Sequence, residues 1–341
     1  MSKPTLREIA NTLGLSIATV SKALKGYSDI SIETKQKVKK LAEQLNYKPN
    51  SYAQSLQSKE SKTIGLIVPE IVHHFFSNVI LGVVKTAEKH GYLVITLQSD
   101  EKYDVEKTQI EQLLNKNVDA ILMSLADNTV DHKHVESIRD SGVPVVLFDK
   151  ISKLINCHKV VINDEKAAFE ATNYLIETGC KKIAHIRGVL KPQTTIDRLK
   201  GYRKALEHHD MEFDKNLVFE ATNLSLEDGQ RIAQTIFDKH KDVDGVFVLT
   251  DLIASGVLMK FNELGVKVPE EISVIGFSNW LITQLTTPTL STVDQPGFKM
   301  GQAAFNLLLD EIYNLKNNNE VNYRTIEIPT KVIARNSTKH I

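Results

Sequence analysis

Cysteine is scarce in this 341-residue chain, long apolar runs are missing, and neither sign of charge dominates. Cys157 and Cys180 stand apart, with no metal-ligand spacing and no disulfide framework, as expected of a protein of the reducing cytoplasm. The apolar stretch over 143–148 is far too short to cross a bilayer, so a membrane partner is not expected. With 42 basic and 42 acidic residues, the total charge alone argues against a nucleic-acid partner.

The balance of charge hides an uneven distribution. Residues 1–62 hold eleven Lys or Arg and five Asp or Glu, a net charge of +6, so residues 63–341 carry −6. The first ten residues lack an apolar core and a cleavage site, and Glu8 argues against a transit peptide. The N-terminal sixth of the chain is therefore a basic module, of the kind that binds an anionic polymer.

This basic module predicts three short helices. Thr5 and Glu8 form a capping box for the first helix, Gly14 can take the left-handed conformation that ends it, and Ser16 caps the second. The second helix is expected over about 17–24 and the third over about 31–45. Two helices joined by a tight turn in a basic module are typical of a helix-turn-helix, whose second helix enters the DNA major groove. A small helical bundle for protein contacts is the alternative.

From residue 63 onward, short apolar strands alternate with amphipathic helices. Strands are predicted over 63–68, 93–98, 120–124, 145–148, 160–163, 182–187, 245–249 and 272–276, and helices over, for example, 77–90, 166–178 and 199–209. This alternation predicts an α/β fold of parallel sheets with helices on both faces. About 280 residues fit two such lobes better than one sheet.

Several segments resemble the LacI/GalR family of bacterial transcription regulators. They include TLREIA at 5–10, ATVSKAL at 18–24, NYKPN at 46–50, TIGLIVP at 63–69, RLKGY at 198–202, VPEEISVIGF at 268–277 and PTLSTV at 288–293. The resemblance covers essentially the whole chain. It implies a homodimer whose helix-turn-helix headpieces bind the half-sites of a near-palindromic double-stranded operator. Hinge helices would join the headpieces to a core similar to periplasmic sugar-binding proteins.

The resemblance also implies the domain boundaries. We expect a DNA-binding headpiece over 1–48, a hinge helix and linker over 49–62, and an effector-binding core over 63–341. One lobe of the core would comprise about 63–161 and 293–322, and the other about 162–292 and 323–341. The C-terminal end has no heptad pattern for a tetramer, so a dimer is preferred.

Family correspondence implies eleven DNA contacts. They are Thr5, Ser16, Ile17, Ala18, Thr19, Ser21, Lys22, Asn50, Tyr52, Ala53 and Leu56. Of these, Ile17, Ala18 and Lys22 would contact bases. Many relatives have arginine at the position of Lys22, and lysine replaces the guanidinium fork with a point charge, so base preference there is looser or shifted. Leu56 would insert between base steps in the minor groove, or pack against the second hinge helix, and both can hold.

The same correspondence places ten residues around an effector cleft between the lobes. They are His73, His74, Phe75, Asp149, Arg198, Leu224, Thr250, Ser278, Asn279 and Trp280. The Arg198 fork suits a pair of sugar hydroxyls or a carboxylate, and the alternative is an ion pair between two helices. Phe75 and Trp280 offer flat faces for a sugar ring, although Trp280 could equally belong to the core.

The chain departs from the family pattern in three places. The pair at 73–74 is His-His where Asn-Pro is common, Thr250 replaces an asparagine, and Ser278-Asn279 replaces Asp-Asp or Asp-Asn. The last change removes a carboxylate that grips sugar hydroxyls in many members, so a familiar monosaccharide cannot be assumed. We expect Asp251 to cap the helix over 252–264 and not to touch ligand. The adjacent histidines have no acidic or cysteine partners, so neither a metal nor a cofactor is expected.

Two other classes of protein compete with this interpretation. An α/β enzyme is disfavoured because no G-x-G-x-x-G follows a strand, and the chain has no phosphate-binding loop and no G-x-S-x-G elbow. A secreted solute-binding protein would need a signal peptide. We therefore predict a repressor under allosteric control by a small molecule, either a sugar or oligosaccharide or, as the alternative, a purine.

Overall fold

The computed structural model describes residues 4–47, 60–129 and 131–340. The chain divides into two compact units, Met1–Ser61 and Lys62–Ile341, which we call the headpiece unit and the core unit. None of the described helices is long and apolar enough to cross a membrane.

The headpiece unit contains three described helices. They are α1 (Leu6–Leu13), α2 (Ile17–Leu24) and α3 (Ile32–Gln44). The caps predicted from the sequence are confirmed, since Thr5 Oγ1 accepts the backbone N–H of Glu8 at 3.2 Å and Ser16 Oγ accepts that of Thr19 at 3.0 Å. Gly14 has φ +64°, the left-handed conformation that turns the chain between α1 and α2. The three helices bury one small apolar core, formed by Ile9, Ala10, Val20, Ala23, Val38 and Ala42.

The core unit alternates strands and helices. Its elements are β1 (Thr63–Val68), α4 (His74–Lys89), β2 (Leu93–Gln98), α5 (Tyr103–Asn115), β3 (Ala120–Met123), α6 (Lys133–Asp140), β4 (Val145–Phe148), β5 (His158–Val161), α7 (Asp164–Glu177), β6 (Ile183–Arg187), α8 (Gln193–His208), β7 (Val218–Glu220), α9 (Leu226–Lys239), β8 (Gly245–Val248), α10 (Asp251–Glu263), β9 (Ser273–Phe277), β10 (Ser291–Asp294), α11 (Gly297–Lys316), β11 (Thr325–Glu327) and β12 (Lys331–Ile333). Short 3-10 turns lie at Lys215–Leu217 and Leu281–Gln284.

The strands form two six-stranded sheets. The first has the order β11-β5-β4-β3-β1-β2 and the second has the order β12-β10-β9-β8-β6-β7. All pairs are parallel except β10 with β12. The central strands are buried from end to end, as parallel strands covered by helices on both faces must be. The predicted α/β class with two lobes is confirmed.

The chain passes from one lobe to the other three times. The sequence placed the second and third passages at about 292/293 and about 322/323. In the structure β10 continues to Asp294 in the second sheet, and β11 pairs with β5 in the first sheet, with Ile326 opposite Val160. The passages therefore follow Asp294 and Glu327, because strand pairing extends beyond the expected boundaries.

Four strands were not predicted, namely β7, β10, β11 and β12. Three of them have only three residues, with no fully buried position. The fourth, β10, buries Ser291 and Thr292 completely, so it shows no apolar run. Apolar periodicity is the main signal of a strand in a sequence, and these segments do not carry it.

Candidate functional site

The start of α2 presents an exposed surface of apolar, hydroxyl and basic side chains. The side chain of Ile17 is 43% exposed although it is apolar, and Ser16, Ala18 and Lys22 are exposed beside it. Thr19 and Ser21 are partly exposed, whereas the opposite face of the helix buries Val20 and Ala23. At a helix N-terminus the first backbone N–H groups have no partner within the helix, which suits contact with phosphate. Thr5 is also exposed, at the start of α1.

Lys22 is held by an ion pair with Asp29. The hydrogen bond between them raises the pKa of the Lys22 ammonium and lowers the pKa of the Asp29 carboxyl. Both side chains are about half exposed, so the pair is weak and a DNA base or phosphate can replace Asp29. The remaining predicted DNA contacts, Asn50, Tyr52, Ala53 and Leu56, lie outside the described residues.

The predicted effector residues come from both lobes, and most of them lie next to the ends of helices or strands. His73, His74 and Phe75 stand at the start of α4 and Asp149 follows β4, while the others belong to the second lobe. Four of the ten, Asp149, Leu224, Ser278 and Asn279, have positive φ although none is glycine. Such backbone conformations are uncommon and concentrate where ligands bind.

Arg198 lies on α8 with its guanidinium almost fully buried. Its Nε donates to Asp164 Oδ1 at 2.8 Å, its Nη1 donates to the carbonyl of Leu249 at 2.9 Å, and its Cζ atom lies 3.6 Å from the centre of the Phe277 ring. The ion pair between helices that the sequence left as an alternative is therefore present. It requires close approach of α7 and α8, since a Cβ on Gly201 would lie 2.1 Å from the carbonyl oxygen of Glu165.

A chain of side-chain hydrogen bonds connects the lobes. Gln295 Nε2 donates to Asp149 Oδ1 at 3.0 Å, and Ser278 Oγ donates to Gln295 Oε1 at 3.2 Å. Gln295 lies in the second passage between the lobes. Burial, together with the nearby Asp164 carboxylate, raises the pKa of Asp149 to about 7, although Lys150 and Arg198 oppose the shift.

We expect Asp149→Asn to change how stability depends on pH. Because the pKa of Asp149 is raised on folding, its contribution is present at low pH and is lost as pH rises to about 7, by up to about 1.4 kcal/mol per pH unit. The amide cannot ionise, so between about pH 4 and pH 7 the wild type should lose stability relative to the variant. Urea unfolding at a series of pH values measures this. The buried histidines, such as His185, are common to both proteins and cancel in the comparison. Parallel pH profiles would contradict the assignment.

Aromatic rings meet across the cleft. The His74 ring of the first lobe stacks on the Trp280 ring of the second, with centroids 5.9 Å apart and planes at 20°. Burial lowers the pKa of His73 to about 4, with Lys150 adding to the shift, so His73 is neutral near pH 7. The Phe75 ring is only 3% exposed and packs against Phe76, so it presents no open face.

The polar side chains that follow β9 and β8 form hydrogen bonds with other groups of the protein. The Asn279 amide nitrogen donates to Asp294 Oδ1 at 2.9 Å, and its amide oxygen accepts a hydrogen bond from Arg335 Nη2 at 2.8 Å.

The expectation that Asp251 caps α10 is wrong, because Thr250 is the N-cap and accepts the backbone N–H of Ile253. Asp251 is instead buried and accepts the backbone N–H of Trp280 at 2.7 Å. The tertiary position of Trp280 decides the role of Asp251, which local sequence cannot reveal.

Leu224 lies before α9, and its side chain would be 3.2 Å from a Cβ on Gly188.

Sequence reasoning did not find Gln295, Asp164 and Arg335, because their roles depend on partners that are remote in the chain. The only available signal was the position of Gln295 two residues after the family landmark at 288–293. Within the described part of the chain, no three His, Cys, Asp or Glu side chains form a group that could hold a metal.

A cavity of about 270 Å³ is lined by residues that include Lys150, the residue after Asp149. It is lined by segments that follow β3 and β4 in the first lobe and by the segment before α8 in the second. None of the ten predicted effector residues lines it. In open α/β sheets, ligands bind outside the carboxyl ends of the strands, where this cavity lies.

Comparison with known proteins gives matches over both units. The model for bacterial regulatory proteins of the lacI family matches residues 5–50, and that for periplasmic binding proteins and the sugar binding domain of the LacI family matches residues 61–336. The chain is 31% identical over 335 residues to the HTH-type transcriptional repressor PurR of Vibrio atlanticus, with 98% of both chains covered.

Solved structures show the same likeness. One is a complex of the transcriptional regulator CelR with cellobiose, with 26% identity, a TM-score of 0.74 and coverage of 98% of this chain and 99% of that one. Another is the lac repressor dimer bound to operator and the anti-inducer ONPF. Its identity is 23% and its TM-score is 0.87 over 99% of this chain and all of that one, so it supports the fold alone.

The headpiece and core units together define a DNA-binding transcription regulator with a domain for small-molecule effectors. These matches show that the chain belongs to the LacI family. Members of this family are transcription regulators and not enzymes, so the enzyme alternative falls.

Proposed function

We propose that this regulator is a repressor that binds a near-palindromic operator as a homodimer and responds to a sugar in the cleft between its lobes. The observation that carries the proposal is the exposed start of α2, in a basic unit separate from a two-lobed core. The PurR relative is named a repressor, and the CelR structure contains cellobiose. Because operator DNA lies in the bacterial cytoplasm, we assign the protein to that compartment.

Control by the effector requires two lobe arrangements. A ligand that binds one arrangement more tightly shifts the population toward it, and a coupling of about 1–3 kcal/mol changes operator affinity about 5–150-fold. The Asp149–Gln295–Ser278 chain and the His74–Trp280 stack are contacts between the lobes that such a shift would change.

Exchange of Ile17, Ala18 and Lys22 for the residues of another family member should change the operator that is selected. These side chains lie at the exposed start of α2, where they can reach base edges in the major groove. Selection from randomised duplexes measures the consensus, which should change symmetrically in both half-sites. Lys37→Gln on α3 is the control, since an exposed lysine away from α2 should leave the consensus unchanged. An unchanged consensus after the exchange would remove the base-reading role of α2.

The homodimer is supported by an apolar groove on the second lobe. It has a volume of about 300 Å³ and lies between α10 and the segment that follows the 3-10 turn at Leu281–Gln284. Met259 and Leu285, two of its lining residues, are 50% and 73% exposed, more than a monomer would favour for adjacent large apolar side chains. We assign this groove to a second copy of the chain.

Leu285→Asp is expected to produce monomers. A carboxylate buried at the interface without a partner should weaken association by about 2 kcal/mol or more, and operator affinity should fall with it. Analytical ultracentrifugation measures the mass over a range of concentrations. Val72→Asp, at a residue that is 77% exposed but outside the groove, should remain dimeric. If both variants stay dimeric, the interface lies elsewhere, and a monomeric wild type would refute the homodimer.

A further inference from the structure

A second cavity, of about 260 Å³, lies between α5 and α6 of the first lobe. All of its described lining residues fall between Tyr103 and Ser137, so it is separate from the cleft between the lobes. Part of its lining is apolar. The Ile110 side chain is almost fully buried, and the Tyr103 ring packs edge-on against the His134 ring with centroids 4.9 Å apart. The cavity therefore offers a hydrophobic surface to one small organic molecule.

Both signs of charge stand at the mouth of this cavity. Lys107 and Glu111 lie one turn apart on α5, and both are exposed. Charges with this spacing on a helix commonly pair, yet no ion pair joins either of them to another residue that the structure describes. On the α6 side, Asp131 and Lys133 supply a second carboxylate and a second ammonium, 3.8 Å apart. The carboxylates repel an anion and the ammonium groups repel a cation, whereas a zwitterion finds a partner for each of its charges.

His134 lies in the wall of the cavity and has one nitrogen without a partner. Its side chain is only 1% exposed, and its Nε2 donates to Glu106 Oε1 at 2.6 Å. Its Nδ1, on the other edge of the ring, is buried and has no hydrogen-bond partner among the described residues. Because nearly all buried polar atoms in proteins are hydrogen-bonded, we expect a polar ligand in the cavity to supply the missing partner.

Glu106 connects this wall to the segment 126–129. Its side chain is fully buried, and Oε2 accepts the backbone N–H of Ala126 at 2.8 Å while Oε1 accepts the hydroxyl of Thr129 at 3.1 Å. Ala126 and Thr129 also line the 270 Å³ cavity, whose other walls include residues of the second lobe. A ligand that moves α5 relative to α6 therefore acts, through Glu106, on a segment that faces the second lobe.

We propose that the cavity between α5 and α6 binds a free amino acid, and that this second ligand changes the affinity for operator DNA. The carboxylate of the amino acid pairs with Lys107, its ammonium pairs with Glu111, and its side chain packs on Ile110. The cavity is smaller than the roughly 300–1,000 Å³ of pockets for drug-sized ligands, which suits a molecule of this size. The inference adds a ligand to the proposed repressor and rests on that proposed function only for its DNA readout.

Calorimetric titration of the full-length protein with each of the standard amino acids tests the binding. At least one should bind. Its amide and its N-acetyl derivative each lack one of the two charges, so each should bind about tenfold more weakly or worse. Lys107→Gln and Glu111→Gln should lower the affinity by about the same factor. Both side chains are exposed, so neither change should prevent folding.

Lys166 and Glu170 provide a matched control. They have the same spacing on α7, neither is buried, and neither lines the cavity. Lys166→Gln and Glu170→Gln should therefore leave the affinity for the amino acid unchanged.

The effect on DNA binding is measured with the selected operator. A saturating concentration of the amino acid should change operator affinity about fivefold or more. Thr129→Val removes one of the hydrogen bonds between Glu106 and the segment 126–129, so it should reduce this change and leave the amino-acid affinity as in the wild type. Thr108→Val is the control, because the exposed Thr108 hydroxyl donates only within α5, to the carbonyl of Asp104.

The other outcomes decide each part separately. If no amino acid binds at millimolar concentration, the site is overturned. It is also overturned if Lys107→Gln and Glu111→Gln leave the affinity unchanged, because the amino acid then binds elsewhere. Binding at the cavity with an unchanged operator affinity would refute the modulation. If the protein binds an amino acid through Lys107 and Glu111 but binds no operator, the repressor proposal fails and the site stands.

Discussion

Removal of residues 1–61 is expected to abolish operator binding and to leave effector binding intact. The remaining residues 62–341 carry 32 basic and 37 acidic side chains, a net charge of −5, and lack α2 entirely. A specific protein–DNA contact is about 1,000-fold or more tighter than nonspecific binding, and the core should lose both. Gel-shift titration of the selected operator measures the loss, and calorimetry with the effector checks the core.

The truncation point is chosen on structural grounds. Lys62 is kept because its backbone N–H donates to Asp119 Oδ2 and its carbonyl accepts the N–H of Leu93, so β1 starts intact. Full-length protein with an unchanged headpiece, assayed beside the core, provides the control. Operator binding retained by the core alone would refute the separation of DNA reading from ligand sensing.

Arg198→Met should destabilise the core by about 3–5 kcal/mol, because it leaves the Asp164 carboxylate buried without its partner. Burial raises the pKa of Asp164, and Arg198 opposes that shift, so without Arg198 the pKa should rise further. A raised folded-state pKa makes the stability fall as pH rises, and the loss should therefore be larger at pH 8 than at pH 5. Urea unfolding at the two pH values measures both effects.

Two further variants make the arginine experiment decisive. Arg203 lies on the same helix, is exposed, and stacks over the Phe213 ring at 4.7 Å, so Arg203→Met should cost about 1 kcal/mol or less. Adding Asp164→Asn to Arg198→Met should restore part of the stability by removing the uncompensated charge. Equal losses for the two arginines would mean that the buried pair has no special role.

Sequence alone predicted the parts of the molecule that depend on local chemistry. The caps at Thr5 and Ser16 and the turn at Gly14 follow from interactions within four residues, and the structure contains all three. The apolar central strands were also predictable, since burial on both faces leaves a continuous apolar run. The predicted start of the helix at 199 was late, because α8 begins at Gln193 with a polar turn.

Interactions between remote residues explain what the sequence could not provide. Aspartate is a common helix N-cap residue, and Asp251 stands where a cap is expected. Its carboxylate instead accepts hydrogen bonds from the backbone N–H of Trp280 and from Thr292 Oγ1, the latter at 2.6 Å. Thr292 lies on β10, which carries buried hydroxyls and so lacks an apolar signature. Gln295 gains its role only because Asp149 and Ser278 come together around it. These contacts join residues that are 17 to 146 positions apart in the chain, beyond the reach of any local pattern.

The sheet order also determines when each unit can form during synthesis. The headpiece unit needs only residues that are adjacent in sequence, and units near the N-terminus generally fold first as the chain emerges. The first sheet is completed by β11 at Thr325–Glu327, and the second by β12 at Lys331–Ile333. Almost the whole chain must therefore be synthesised and leave the ribosome before either lobe has all its strands. A translation product that stops early would contain a folded headpiece unit but an incomplete core unit, so its DNA binding would not be under effector control.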